Sequence, residues 1–197
     1  PETPLKMEQL KTLENLLARR AQGEPIAYLL EEKEFWSLTL RVTRDALIPR
    51  EETELLVECA LDRLEDTTAV QVLDLGTGSG AIALALAEAG TNVVVNYRSN
   101  HDEGESVAAE ARALGVEALA IKADVGDPDA VREMGRKAIE RFGAIDMLVN
   151  NAGVVEDIPF EQQDFDMMDR IIDMNLKGTL YVARCVVKSM IQRGGER

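Results

Sequence analysis

The chain of 197 residues holds one histidine, one tryptophan and two cysteines. A lone histidine, His101, excludes a multi-histidine metal centre, and no metal site is expected. It stands beside Asp102 and Glu103 in what reads as a polar, solvated turn. Cys59 and Cys185 lie far apart in apolar helical patterns, which excludes a disulfide framework and reads as two buried free thiols. Basic residues are also scarce, 22 against 36 acidic ones, for a net charge of −14. Proteins that hold nucleic acid through its phosphates carry basic stripes, so no nucleic-acid partner is expected. No apolar run approaches the roughly 18 residues of a membrane span. The opening PETPLKMEQLKTLENLL is charged and helical, unlike a secretion leader, so no membrane partner is expected and the cytoplasm is the expected location.

What is present falls into two patterns. Residues 5–22 place apolar side chains at 5, 7, 10, 13, 16 and 17, a helical stripe that Gly23 and Pro25 end. EFWSLTLRV (34–42) reads as a strand, and EETELLVECALDRL (51–64) as a helix with acids in its first turn. From residue 69 strands and helices alternate. AVQVLDL (69–75), NVVVNY (92–97), ALAIKADV (118–125) and IDMLVNNAG (145–153) are the strands. Helices fall at 80–90, 105–115 and 129–143, and a long one at 164–195 has Gly178 inside it. Continuous apolar strands joined by helical crossovers predict an α/β fold, a Rossmann-like, doubly wound parallel sheet in three layers. A small N-terminal helical and hairpin appendage precedes it. The expected division is 1–67 for the appendage and 68–197 for a nucleotide-binding domain.

Two families are resembled, over different stretches. ARRAQGEPIAYLL, ALIPREETELLVECALDRL and VLDLGTGSGAIALALA, within residues of about 5–88, resemble the release-factor glutamine methyltransferases. AIALALAEAGTNVVVNYRSN, ALAIKADVGDPDAV, FGAIDMLVNNAG and MNLKGTLYVARCVV, from about residue 82 onward, resemble short-chain dehydrogenases/reductases of the ketoacyl-carrier reductase type. The helix AIALALAEAG suits both, so the chain reads as a chimera joined there. The first resemblance departs where Glu51 follows Arg50 in place of a proline, and where NNAG stands in place of NPPY.

The resemblances imply different cofactors. Gly76, Gly78 and Gly80, with Asp74 ahead of them, match the loop that wraps S-adenosylmethionine, whose ammonium an acidic residue contacts. Gly76, Gly78 and Ala81 also satisfy the GxGxxA dinucleotide form. Glycines that merely turn a strand into a helix are the bland alternative. After the second strand both S-adenosylmethionine and NAD sites call for an acid, whereas this chain has Asn96-Tyr97-Arg98-Ser99. Arg98 fits a 2′-phosphate through charge-assisted hydrogen bonds, or is simply a solvated arginine. Asp124 and Val125 are implied beside an adenine in either family. Asn151, Ala152 and Gly153 are implied to let backbone approach a nicotinamide cofactor. NADP(H) is therefore the leading cofactor and S-adenosylmethionine the alternative.

Neither catalytic set is complete. The reductase resemblance implies an Asn, Ser, Tyr and Lys set, of which Asn175 in MNLKG is the one member found. Tyr28, Tyr97 and Tyr181 are followed four residues on by Glu32, His101 and Cys185, so no YxxxK pair exists in the chain. Lys177 and Lys188 read as surface residues. Whether the chain is an enzyme therefore stays open. The expected function is a hybrid nucleotide-binding protein that is catalytically incomplete, with a methyltransferase remnant or a non-catalytic, self-associating scaffold as alternatives. Apolar residues in excess of one sheet face (Ile171, Ile172, Leu180, Val182, Val186, Val187) predict a homo-oligomer formed through helix 164–192.

Overall fold

The N-terminal stripe folds as predicted but buries nothing. Helix α1 (Met7–Ala21) has no buried residue, and Met7 is 71% exposed. It leans on the short α2 (Ile26–Leu30). The expected strand at 34–42 is instead a hairpin of β1 (Glu32–Phe35) and β2 (Leu38–Arg41), with Phe35 opposite Leu38. Trp36 and Ser37 form its two-residue turn, both with positive φ (52° and 65°), the pairing whose twist matches antiparallel strands. Helix α3 (Glu54–Leu61) follows a short 3-10 turn, and Glu54 accepts a hydrogen bond from the Trp36 N–H at 2.9 Å. The structure describes residues 4, 6–44, 46–64 and 66–193 of this computed structural model.

The alternating half builds the sheet. Strand β3 (Gln71–Leu75) is buried at every position. It is followed by α4 (Ala81–Glu88), β4 (Asn92–Tyr97), α5 (His101–Ala113), β5 (Ala118–Lys122), α6 (Pro128–Phe142) and β6 (Met147–Asn150). The four strands pair in parallel in the order β5-β4-β3-β6. β4 has the expected bounds, whereas β3, β5 and β6 are shorter than their predicted runs. Asp124-Val125 and Asn151–Gly153 belong to loops at strand ends. His101 opens α5 and is no loop residue; its Nδ1 lies 2.7 Å from the Tyr97 hydroxyl. Both cysteines are free but half-buried.

Helices cover both faces, which makes the three layers. On one face α4 and α5 pack with α3 and the hairpin over Val72, Val93, Val95 and Val149. On the other, α6 and the last helix cover Leu73, Leu75, Val94 and Ile121. That last helix is three pieces rather than one: α7 (Phe165–Ile172), a π-helical turn at Asp173–Gly178, and α8 (Thr179–Gln192). The expected residues 194 and 195 lie outside the described part. Ser189 on α8 accepts the Ile145 N–H at 2.9 Å, which pins α8 to the start of β6. Among the described residues no helix is long and apolar enough to cross a membrane.

Helix α4 is apolar all round, with Ala81 to Ala87 buried without a break, the pattern of a helix enclosed by protein. Leu86 is fully enclosed in the cluster that also holds Phe35 and Val57. Leu86→Ala is expected to cost about 2–5 kcal/mol by leaving a cavity there. Urea unfolding of parent and variant, compared at equal m-values, measures it.

Candidate functional site

Strand β3 lies between β4 and β6, and the chain runs outward from it in both directions. Ligands of open α/β sheets bind in the crevice that opens at such a reversal, outside the carboxyl ends of the strands. Four loops meet there, and most of the residues singled out from the sequence lie on them.

The glycine loop is held from three sides. Gly76 has φ +65°, and a Cβ on it would sit 2.7 Å from the Ala152 Cα. The loop after β3 thus touches the loop after β6, a contact that only glycine permits. The Thr77 hydroxyl donates to the Asp74 carbonyl (3.1 Å). Gly76 N–H donates to Asn96 Oδ1 (3.1 Å), and Thr77 N–H to the Asn96 carbonyl (3.1 Å). Gly78 faces open space, where a Cβ would meet only the Gly76 carbonyl at 3.8 Å. Gly80 answers a packing demand instead, since a Cβ there would lie 2.8 Å from Val107 on α5. Helix α4 starts without a side-chain cap, so its first amides have no side-chain acceptor.

The loop after β6 is clamped on its other side by Asn175, carried on the π turn. Asn175 Oδ1 accepts the Val154 N–H (2.8 Å), and its Nδ2 donates to the Val154 carbonyl (2.9 Å). A Cβ on Gly153 would come within 3.3 Å of Asn175 Oδ1. Asn151, Ala152 and Gly153 are therefore bracketed between the glycine loop and the π turn.

Arg98 and Asp124 lie at the other end of the crevice. Arg98 is exposed, with Nη1 3.5 Å from the Met174 sulfur. Asp124 Oδ1 accepts the Gly126 N–H (2.9 Å). Beside them opens a cavity of about 440 Å³ between the β5 loop and α7. Five aspartates line it (Asp124, Asp127, Asp166, Asp169, Asp173), against one arginine, Arg170. Lys177 offsets one of them by pairing with Asp173 at 2.6 Å, which raises the lysine's pKa.

Two predicted residues are not at the crevice surface. The Val125 side chain is buried against Gly178. Asp74 is 1% exposed and stands between Val95 and Val149 on the face that α4 covers. Among the described residues no donor reaches either carboxylate oxygen in hydrogen-bond geometry. Burial pushes the carboxyl up to about 7, and the nearby Thr77 hydroxyl and Ala83 amide offset this only in part. The sequence also left Asn96 unread as a site residue. A polar residue ending the run VVV was its one signal.

An α/β protein with a glycine loop at the reversal point of a parallel sheet is a Rossmann-like nucleotide-binding protein in architecture. Comparison with known proteins specifies it further. The short chain dehydrogenase model matches residues 72–196, and the chain belongs to that family. The model of the PrmC N-terminal domain matches residues 1–30. A 3-oxoacyl-(acyl-carrier-protein) reductase of Staphylococcus epidermidis is 43% identical over 109 residues, 55% of this chain and 45% of that protein. A release factor glutamine methyltransferase of Coxiella burnetii is 54% identical over 77 residues, 39% of this chain and 28% of that protein. The chain thus joins likenesses to two families, and it spans less than half the length of either relative. Among solved structures, a short-chain type dehydrogenase/reductase from Mycobacterium marinum aligns with a TM-score of 0.62 and 34% identity, over 68% of this chain and 55% of that one. A short chain dehydrogenase from Burkholderia cenocepacia in complex with NADP aligns at 0.61 and 29%, over 64% and 53%.

Asp74 gives the site a pH signature. Its folded pKa, about 7, lies above the ordinary 3.8. Below 3.8 both states hold the proton and the carboxyl is neutral to stability. As pH rises towards 7 the unfolded chain releases its proton first, so stability falls, and the loss is complete above 7. Asp74→Asn is expected to gain on the parent across this window, by a total of about 4 kcal/mol. Urea midpoints of both proteins between pH 4 and 8 test this.

Proposed function

We propose that residues 68–197 form a nucleotide-binding unit that takes NADP(H), behind an appendage of methyltransferase type at 1–67. The contact of Gly76 with Ala152 carries this reading, because it brings the two loops together at the reversal point and leaves Gly78 open. A loop open at Gly78 that leads into the uncapped first turn of α4 suits a pyrophosphate. Arg98 at the crevice rim supplies the cation for a 2′-phosphate. The Burkholderia cenocepacia structure, which aligns over 64% of this chain, is a complex with NADP. The aspartates near Arg98 oppose a polyanion, so the affinity is modest and depends on that one guanidinium.

A bound nicotinamide would supply hydride chemistry, for which this chain holds an incomplete set of partners. Asn175 spends both polar atoms on Val154 and so shapes the loop. Of the three tyrosines, none has a lysine four residues on. The 197-residue chain therefore binds cofactor without appreciable turnover of a ketone.

A second reading, S-adenosylmethionine, is favoured by the DLGTGSG loop, whose Gly78 stays open. Calorimetry separates the two. Arg98→Ala is expected to weaken NADPH at least tenfold and leave NADH unchanged, in line with a charge-assisted hydrogen bond of about 1.5–3 kcal/mol. Binding of S-adenosylmethionine by a parent that binds no NADPH would support the second reading instead.

The chain also self-associates in this proposal. Val182 and Val186 serve the core, but Ile172, Leu176, Leu180, Val187 and Ile191 stay exposed along α7, the π turn and α8. An apolar stripe of this length marks a contact surface. Sedimentation is expected to show a dimer in the micromolar range for the parent and a monomer for Leu180→Glu. A monomeric parent would contradict it.

A further inference from the structure

We infer that Asn96 is a positioning residue of the nucleotide site, one whose buried carboxamide sets the backbone of the glycine loop. The inference rests on the nucleotide-binding reading above and deepens it. Asn96 is 2% exposed and is the residue before last of β4, following Val93, Val94 and Val95. Its Oδ1 accepts the Gly76 N–H at 3.1 Å. The two protons of its Nδ2 point the other way, to the carbonyls of Ala123 (3.0 Å) and Ile121 (3.4 Å) on the β5 side. Its own carbonyl takes the Thr77 N–H. One side chain thus ties the first residue of the glycine loop to the end of β5, across β4.

The chemistry of this place calls for an amide. The β4–β5 pairing register ends at Tyr97 opposite Lys122, and the β3–β4 register at Asp74 opposite Val95. Past those points the Gly76 N–H and the Ala123 carbonyl have no ladder partner, and a buried orphan is costly. A valine would leave the Gly76 N–H and the Ala123 carbonyl without their side-chain partner. An aspartate could still accept from Gly76 but would turn an acceptor towards two carbonyl oxygens. Only a group with a fixed acceptor on one side and donors on the other serves both loops. Asn96 has no polar atom left for a ribose and is not at the surface, so its effect on a nucleotide passes through Gly76. Gly76 in turn has no slack, because Ala152 lies against it.

The test compares the parent with Asn96→Leu and Asn96→Ala, reading amide hydrogen exchange by NMR and NADPH affinity by calorimetry. The expected result is a loss of protection at the Gly76 N–H of tenfold or more, with Val182 and Val186 on α8 within twofold of the parent. NADPH binding should weaken at least tenfold in the same variants. Should Asn96→Ala fail to fold, Asn96→Leu, which is nearly isosteric and offers the Gly76 N–H no acceptor, carries the comparison alone. Unchanged protection at Gly76 overturns the inference, as does lost protection with NADPH affinity intact. A parent that binds no NADPH overturns the cofactor reading instead, and is told apart because the exchange measurement uses no ligand.

Discussion

Helix α4 has no face turned to water, and the rest of the molecule is arranged around that constraint. Its residues Ala81 to Ala87 must all be covered by protein. The sheet covers one side and α5 another. What remains falls to α3 and the β1–β2 hairpin, through Val57, Ala60, Phe35 and Leu40 in the same apolar cluster. Those covering residues come from the stretch that resembles methyltransferases, whereas β4, β5 and β6 come from the reductase-like stretch. A helix of small side chains accepts both sets, because alanines let neighbours approach closely without dictating which neighbours they are. The two likenesses therefore meet in one shared core.

The crevice is shaped by backbone more than by side-chain charge. Gly76 against Ala152, and Asn175 against Val154, fix the separation of the central loops to within a hydrogen bond. The charges around them pull in opposite directions. Arg98 invites an anion, while the aspartates lining the neighbouring cavity repel one. Asp74, enclosed under α4, belongs to neither group, since no part of it reaches the crevice. Its neutral form fits an apolar layer, and its charged form does not.

Much of the fold was legible because it depends on patterns that survive locally. Unbroken apolar runs such as NVVVNY can only be strands covered twice, and crossovers of helical length make them parallel. The hairpin of the appendage was expected, but its turn within 34–42 was not legible, because Trp36-Ser37 carries none of the Gly, Asn or Asp signals of a two-residue turn. Nor was the break in the last helix, where the π turn that presents Asn175 is sequence-silent apart from Gly178. At the site, Gly76 and Asn175 could be picked out by motif. The direction in which a side chain points could not. Asn96 looked like a missing ribose acid and turns inward; Asp74 looked like a ligand contact and is enclosed. Both outcomes follow from strand alternation combined with which helices cover each face, and only tertiary packing decides the latter.

The single core around α4 is open to a direct measurement. Trp36 is the one tryptophan and lies in the hairpin, whereas far-UV ellipticity reports mainly the helices flanking the sheet. Followed through the same urea titration, the two signals are predicted to give one coincident transition with equal midpoints and slopes. A tryptophan transition that is complete before the ellipticity changes would contradict the account, because the appendage would then unfold while α4 kept its cover.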